Sequence, residues 1–319
     1  MSQASAVASR NFRFAKALAI VLVFSGHFGT GIPGFWMLVS IGLFVFAFSS
    51  AYFTSAKYHE DLDLRAFWKS KLLRLVPSLA MINLFLLGLF LVQRRPGIWN
   101  WQTPVSILGL SGFCTWFGIK DQTPFGLGVW FLTLLLVFYA AYPVVRRAAR
   151  SRLALHTLTW VGLVAAGLLD WYVPMGHALW FTAWAFIFGI FAQRTALALR
   201  PLACGIGAFS LAATLFAVNP ILGLKVLNFP LLVGMSGCTV LFLLRARVPA
   251  LALRPLDYVA PMTLEIYLLH PYLLLHPAGY PATDYLLSLA CVLGVAWLLH
   301  RAASLLTRRG LHVAGTPRA

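Results

Sequence analysis

The stretch Trp36-Met-Leu-Val-Ser-Ile-Gly-Leu-Phe-Val-Phe-Ala-Phe-Ser-Ser-Ala-Tyr-Phe-Thr54 runs through 19 residues without a charge. As an α-helix it would be about 28 Å long, close to the roughly 30 Å hydrocarbon core of a bilayer. It does not alternate apolar and polar residues with period two, as a membrane β-barrel strand would. Similar runs recur from one end of the chain to the other. The expected fold is all-α, a polytopic membrane protein. With no soluble domain or long linker in view, residues 1–319 read as a single integral-membrane domain.

Composition agrees. Of the 319 residues, 61% are hydrophobic and 10% charged, and the mean hydropathy is +0.83. Soluble domains carry about 25% charged residues. The net charge of +17 raises the question of nucleic acid. The basic residues stand in short clusters between apolar runs, however, and form no stripe interleaved with exposed aromatics. No nucleic-acid partner is expected. Cys114, Cys204, Cys238 and Cys291 are isolated, without the spacing of a metal site or redox pair, and read as apolar filling; no metal is implied. No small-residue cleavage site follows the first apolar segment, which reads as a retained helix.

Ten spans are expected, at about 15–31, 36–54, 75–93, 127–145, 153–170, 177–193, 202–219, 229–244, 262–277 and 284–300. Alternating sides then divide the Lys and Arg residues very unequally. One side collects 21, among them Arg10, Arg13 and Lys16, then Lys57 to Arg74, Arg146 to Arg152, and Arg301 to Arg318. The other holds four: Arg94, Arg95, Lys120 and Lys225. By the positive-inside rule both termini are cytoplasmic, with 311–319 a flexible tail. The longest outer connection, 94–126, carries Trp99, Trp101 and Trp116 and is expected to lie along the membrane surface. In the inner connection 55–74, Phe67-Trp68-Lys69-Ser70-Lys71-Leu-Leu-Arg74 reads as a short amphipathic stretch at the inner face.

Against this apolar background a few polar residues stand out. His27 lies towards the outer end of the first span. An ionisable group at membrane depth is costly and points to function, and imidazole is the side chain best suited to move protons near neutrality. Lys16 stands eleven residues earlier, roughly 16 Å along a helix. One helix could thus offer a cation to a cytoplasmic anion and a proton acceptor deeper in. The plain alternative is a snorkelling lysine and a packing histidine. Lys71 and Arg74 share a helix face and could hold a phosphate, or simply flank a span. Glu265 and His270 sit in Met262-Thr-Leu-Glu-Ile-Tyr-Leu-Leu-His270-Pro271. A carboxylate can orient an imidazole, but an i, i+5 pair does not face well on one helix. Asp170 and His177 flank a short outer loop and could meet a hydroxylated acceptor, or only solvent. No GxSxG, HExxH, GxxxxGK[ST] or TVGYG motif and no Arg-rich voltage-sensor helix occurs.

Taken together, the residues resemble the bacterial inner-membrane acyltransferase-3 family, polysaccharide O-acetyltransferases among them. The resemblance covers nearly the whole chain. Lys16-Ala-Leu-Ala-Ile-Val-Leu-Val-Phe-Ser-Gly-His27 is similar to the family's first helix, with Lys in place of Arg. Leu43 to Phe53 is similar to its F-F-x-x-S-G-F/Y, with Ala51 at the glycine. Phe67-Trp68, then Lys71-Leu-Leu-Arg74-Leu-Val-Pro77, is similar to F-x-x-R-x-x-R-x-x-P. Trp130-Phe131-Leu132 with Phe138-Tyr139 and Pro143 resembles the W-F-L helix. Tyr267-Leu-Leu-His270 meets the late Y-L-x-H. Lys16 and Lys71 keep the charge but lose the bidentate fork of arginine, and Leu135 stands where the family often has a glutamate.

The resemblance implies a membrane-bound O-acyltransferase of the bacterial inner membrane, multi-pass, with an acyl-CoA co-substrate, usually acetyl-CoA. It implies a saccharide acceptor, at the cell surface or lipid-linked. Lys16, Lys71 and Arg74 would meet the donor's phosphates. His27 would be the general base, by direct transfer or through an acyl-His27 relay. Ser50, Tyr52, Trp130, Glu265, Tyr267 and His270 would position or support substrate. Two rivals are a transporter or flippase of a lipid-linked glycan and a non-catalytic partner in envelope polysaccharide assembly.

Overall fold

A computed structural model describes residues 3–29, 32, 34–58, 62–173, 179–197, 199–249, 254, 256–277 and 279–313. Among them there is helix and no strand. In order the helices are α1 (Gln3–Phe28), α2 (Phe35–Lys57), α3 (Leu64–Val92), α4 (Gln102–Ile107), α5 (Gly112–Trp116), α6 (Trp130–Ala148), α7 (Arg152–Tyr172), α8 (Leu179–Arg194), α9 (Pro201–Phe216), α10 (Asn228–Arg245), α11 (Thr263–Leu269) and α12 (Pro281–Val313). Among the described residues, seven helical stretches are long and apolar enough to cross a membrane: α2, α3, α6, α7, α9 continued to Asn219, α10 begun at Lys225, and α12. The protein is an all-α polytopic membrane protein, and its described residues hold fewer continuous spans than the ten expected. At 16 residues α8 is short, and α1 mixes Arg13, Lys16 and His27 into its apolar run.

The expected span 262–277 is corrected. It is the end of a 3-10 turn at Met262, the seven-residue α11, a second 3-10 turn at His270–Tyr272, then non-helical chain. Pro271 lacks the N–H that would extend the helix. The broken segment still travels along α12. Glu265 meets His300, and Leu275 exchanges two hydrogen bonds with the Ser288 hydroxyl, at 2.8 and 3.0 Å. Those contacts stand 12 residues apart on α12, roughly 18 Å. Irregular backbone at membrane depth is tolerated where protein satisfies its polar groups, and Ser288 does this for Leu275.

Helix ends follow local chemistry. Asp63 caps α3, its carboxylate accepting from the N–H groups of Arg65 and Ala66 at 2.8 and 3.2 Å. Phe67 to Arg74 therefore belongs to the opening turns of α3 and is no separate surface stretch, a second correction. The Ser151 hydroxyl accepts from Ala154 N–H to open α7, and Pro201 opens α9. The last helix reaches Val313; 314–319, the rest of the expected tail, lie outside the described residues.

Contacts divide the chain into two compact units, 1–61 with 137–260, and 62–136 with 261–319. In the first, α1 packs on α2 and α10, α2 on α8, α7 on α8, and α9 on α10. Its core is aromatic: Phe12, Phe24, Phe44 and Phe48 are fully buried, and Phe44 lies against Phe181 and Trp184. The tightest crossing is at Gly189. A Cβ there would stand 2.5 Å from the Phe48 carbonyl oxygen and 2.9 Å from the Ala51 methyl, the close approach that small residues permit between membrane helices. A second close crossing sets Gly42 of α2 on Ala19 of α1. The buried Asn11 amide donates to the carbonyls of Leu243 and Ala246, at 2.9 and 2.7 Å, and so satisfies groups left open at the end of α10.

In the second unit α3 packs on α11 and α12. The expected surface loop 94–126 is a folded cap containing α4, α5 and a 3-10 turn at Pro124–Gly126. The hydroxyls of Thr103 and Thr123 bond each other, and Gln102 bridges Lys120 O and Gln122 N–H. Trp99 and Trp101 stay exposed on it.

Candidate functional site

In the first unit, the helical rise puts His27 about three turns above Lys16 on α1, and eleven residues return to within roughly 20° of the same face. Ala19 against Gly42 fixes α1 between the two. His27 is exposed at the C-terminal end of the helix, and Lys16 is half-buried. An accessible imidazole beside a fixed helix end can take a proton from a bound hydroxyl.

The α2 candidates lie well away from His27: Phe48 and Phe53, which bracket them, meet Phe12 of α1, roughly 22 Å along the helix from His27. Ser50 donates to the Tyr139 phenol at 3.1 Å, and Tyr52 stacks on Phe48 with ring centroids 5.8 Å apart. A turn further on, the Ser55 hydroxyl donates to Gln193 at 2.7 Å. Ala51, at the family's glycine position, is a residue small enough for Gly189 of α8 to reach. Asp170 is exposed near the end of α7, and His177 lies outside the described residues.

In the second unit, Lys71 and Arg74 lie one turn apart on α3, ahead of Pro77. Lys71 is half-buried with its ammonium 5.4 Å from the centroid of the buried Phe67 ring, and Arg74 is exposed. The Tyr267 hydroxyl accepts from Phe131 N–H at 3.0 Å and donates to the Gly128 carbonyl. Phe131 N–H is one of the donors a helix start leaves open, so Tyr267 caps α6. Gly128 has φ +72°, and a Cβ there would meet Pro271 at 2.9 Å. The Tyr-Leu-Leu-His-Pro segment is thus keyed to the chain entering the half-buried Trp130. His270 is fully buried, with Nδ1 2.7 Å from the Tyr267 carbonyl oxygen.

Glu265 has partners the sequence did not suggest. It is 1% exposed. Its Oε1 accepts from the Ser78 hydroxyl at 2.7 Å and lies 3.0 Å from His300 Nδ1. Its Oε2 has no hydrogen-bond partner among the described residues. The imidazole beside Glu265 is His300, not His270. His300 sits in a long apolar helix pattern and could have been flagged as another ionisable group at membrane depth. No sequence signal marked Ser78.

The model of the acyltransferase-3 family, described as an acyltransferase domain, matches residues 10–301. The chain belongs to the acyltransferase-3 family. The match takes in α1 with Lys16 and His27, the α3 pair and the broken segment at Tyr267–His270. No curated protein and no solved structure matches the chain. For this acyltransferase the candidates fall into two sets. His27, Lys16, Ser50 and Tyr52 belong to the first unit, and Lys71, Arg74, Trp130, Glu265, Tyr267 and His270 to the second.

Proposed function

We propose that this acyltransferase moves an acyl group, acetyl in the simplest case, from acyl-CoA in the cytoplasm to a hydroxyl of a cell-surface or lipid-linked saccharide outside the bacterial inner membrane. The observation that carries the reading is α1 itself, in a chain of this family. It offers an accessible imidazole at one end and, three turns along the same face, a cation. Lys16 in the first unit, and Lys71 with Arg74 in the second, are each candidates to meet the donor's phosphates. The imidazole of His27 takes the proton of the acceptor hydroxyl, and that oxygen attacks the thioester carbonyl. The carbon–sulfur bond breaks, and the leaving thiolate recovers a proton from the His27 imidazolium, giving ester and free CoA. No activated serine or cysteine is needed. Ser50 and Tyr52, on the Lys16 side of His27, would position the donor, and Trp130, Glu265, Tyr267 and His270 are positioning candidates of the second unit.

The test is release of free CoA from acetyl-CoA by purified protein given a saccharide acceptor. His27→Ala should lower the rate by about 10² or more; full activity in that variant would remove the general base from the scheme. A second reading, transport of a lipid-linked glycan, draws on the broken segment 263–275, since discontinuous helices mark transporter sites. It predicts movement of the glycan in vesicles without consumption of acyl-CoA.

A further inference from the structure

One face of the first unit carries a cleft of about 870 Å³ that the acyl-transfer scheme leaves unused. It lies among α7, α8 and α10. Its walls are apolar, with Trp160, Val164 and Leu168 of α7 facing Val233, Gly237 and Leu241 of α10. From Trp160 to Asp170 the α7 wall runs roughly 15 Å. The end at Asp170 differs in kind. Asp170, Lys225 and Asn228 are the polar residues lining it there. Lys225 and Asp170 make no ion pair or side-chain hydrogen bond among the described residues, although both stand at the mouth of a greasy cleft. Asn228 accepts from the Asn219 amide at 2.9 Å, and Asn219 is presented by a π-turn, Ala217–Ile221, that contains Pro220. Such turns are frequent at functional sites. Lys225 is also one of only four basic residues assigned to the outer side.

We infer that this cleft binds a lipid with one long chain and a phosphate head, the chain along α7 and α10 and the phosphate at Lys225. An annular lipid would need the apolar walls but not a cation set at one end of them. Lys225 is an exposed point charge suited to a phosphate. Asp170 would repel the phosphate itself but can accept from hydroxyl groups attached to it. The pair therefore fits a phosphate that carries a sugar better than a bare anion. The inference rests on the proposed reading, in which the acceptor saccharide is lipid-linked, and gives that acceptor a place to anchor.

The full chain in phosphatidylcholine vesicles, given hexadecyl phosphate with a mid-chain diazirine, should be photolabelled on 160–171 and 226–241. Unlabelled hexadecyl phosphate should compete about tenfold better than hexadecanol. Lys225→Gln should weaken labelling by a similar factor, Lys225→Arg should restore it, and Val164→Trp, which fills the cleft from an exposed position, should abolish it. Equal competition by the alcohol, or labelling indifferent to Lys225→Gln and Val164→Trp, overturns the site and leaves bulk lipid as its occupant. Labelling needs neither acyl-CoA nor sugar. Retained CoA release without labelling refutes the cleft alone, whereas labelling without CoA release refutes the enzymatic reading alone. CoA release with a soluble acceptor also shows that each variant is folded.

Discussion

Glu265 and His300 are the most exacting pair in the second unit. A carboxylate this deeply buried is costly unless paired and hydrogen-bonded, and Ser78 and His300 share one of its two oxygens. Removing either partner of such a pair typically costs more than replacing both. In a double-mutant cycle of Glu265→Gln and His300→Ala, thermal unfolding in detergent should therefore show a coupling of about 1 kcal/mol or more; additive effects would mean the pair does not interact. Tyr267→Phe strips the cap from α6 and should cost about 1–2 kcal/mol, read by the same melt. His27 was legible from sequence because an imidazole in an apolar run is conspicuous. The partner of Glu265 was not, because local spacing rules reach only three or four residues, and His300 lies 35 residues on.

Among the elements, glycines separate packing from propensity. Gly189 is pressed against a backbone carbonyl, which cannot swing away as a side chain end can. Gly189→Val should force α2 and α8 apart and cost about 1–3 kcal/mol or more. Gly88 in α3 has nothing within 4 Å of a built Cβ, so Gly88→Ala should leave the melting temperature unchanged or raise it. Equal losses at both sites would contradict the crossing. Six of the ten expected spans match a helix to within three residues at each end, whereas α1, α3 and α12 run 11–13 residues further than their apolar runs indicated. The break in the segment after 262 was not legible, although Pro271 was in plain view. Its run is apolar enough for a span, and only a hydroxyl donated from a neighbouring helix lets the backbone go without its own ladder. The Asp63 cap was equally visible, yet the charges that follow it suggested a surface loop where the helix had already begun.

For the molecule as a whole, the division of basic residues, 21 against four, makes a prediction about sidedness. In a variant without native cysteines, Asn100→Cys should react with an impermeant maleimide added outside the cell, and Ser151→Cys only after the membrane is opened. Labelling of both from one side would break the alternation. The broken segment keeps that alternation intact if its roughly 18 Å run along α12 continues as a crossing, so the charge count and the loss of a continuous ninth helix are compatible. The fold class was legible because it depends on bulk hydropathy; the cleft of the first unit was not, because it is built from helices whose apolar faces look alike until they are packed.

The Asn11 amide has a consequence in time. Its carbonyl partners lie 232 and 235 residues further along the chain. At about 5–20 residues per second of synthesis, the end of α10 arrives some 10–50 seconds after α1. During that interval α1 can pack on α2 through Ala19 and Gly42, but the Asn11 amide must find its hydrogen bonds elsewhere. A chain stalled before residue 243 would therefore hold the helix that carries His27 on α2 without its partners at the end of α10.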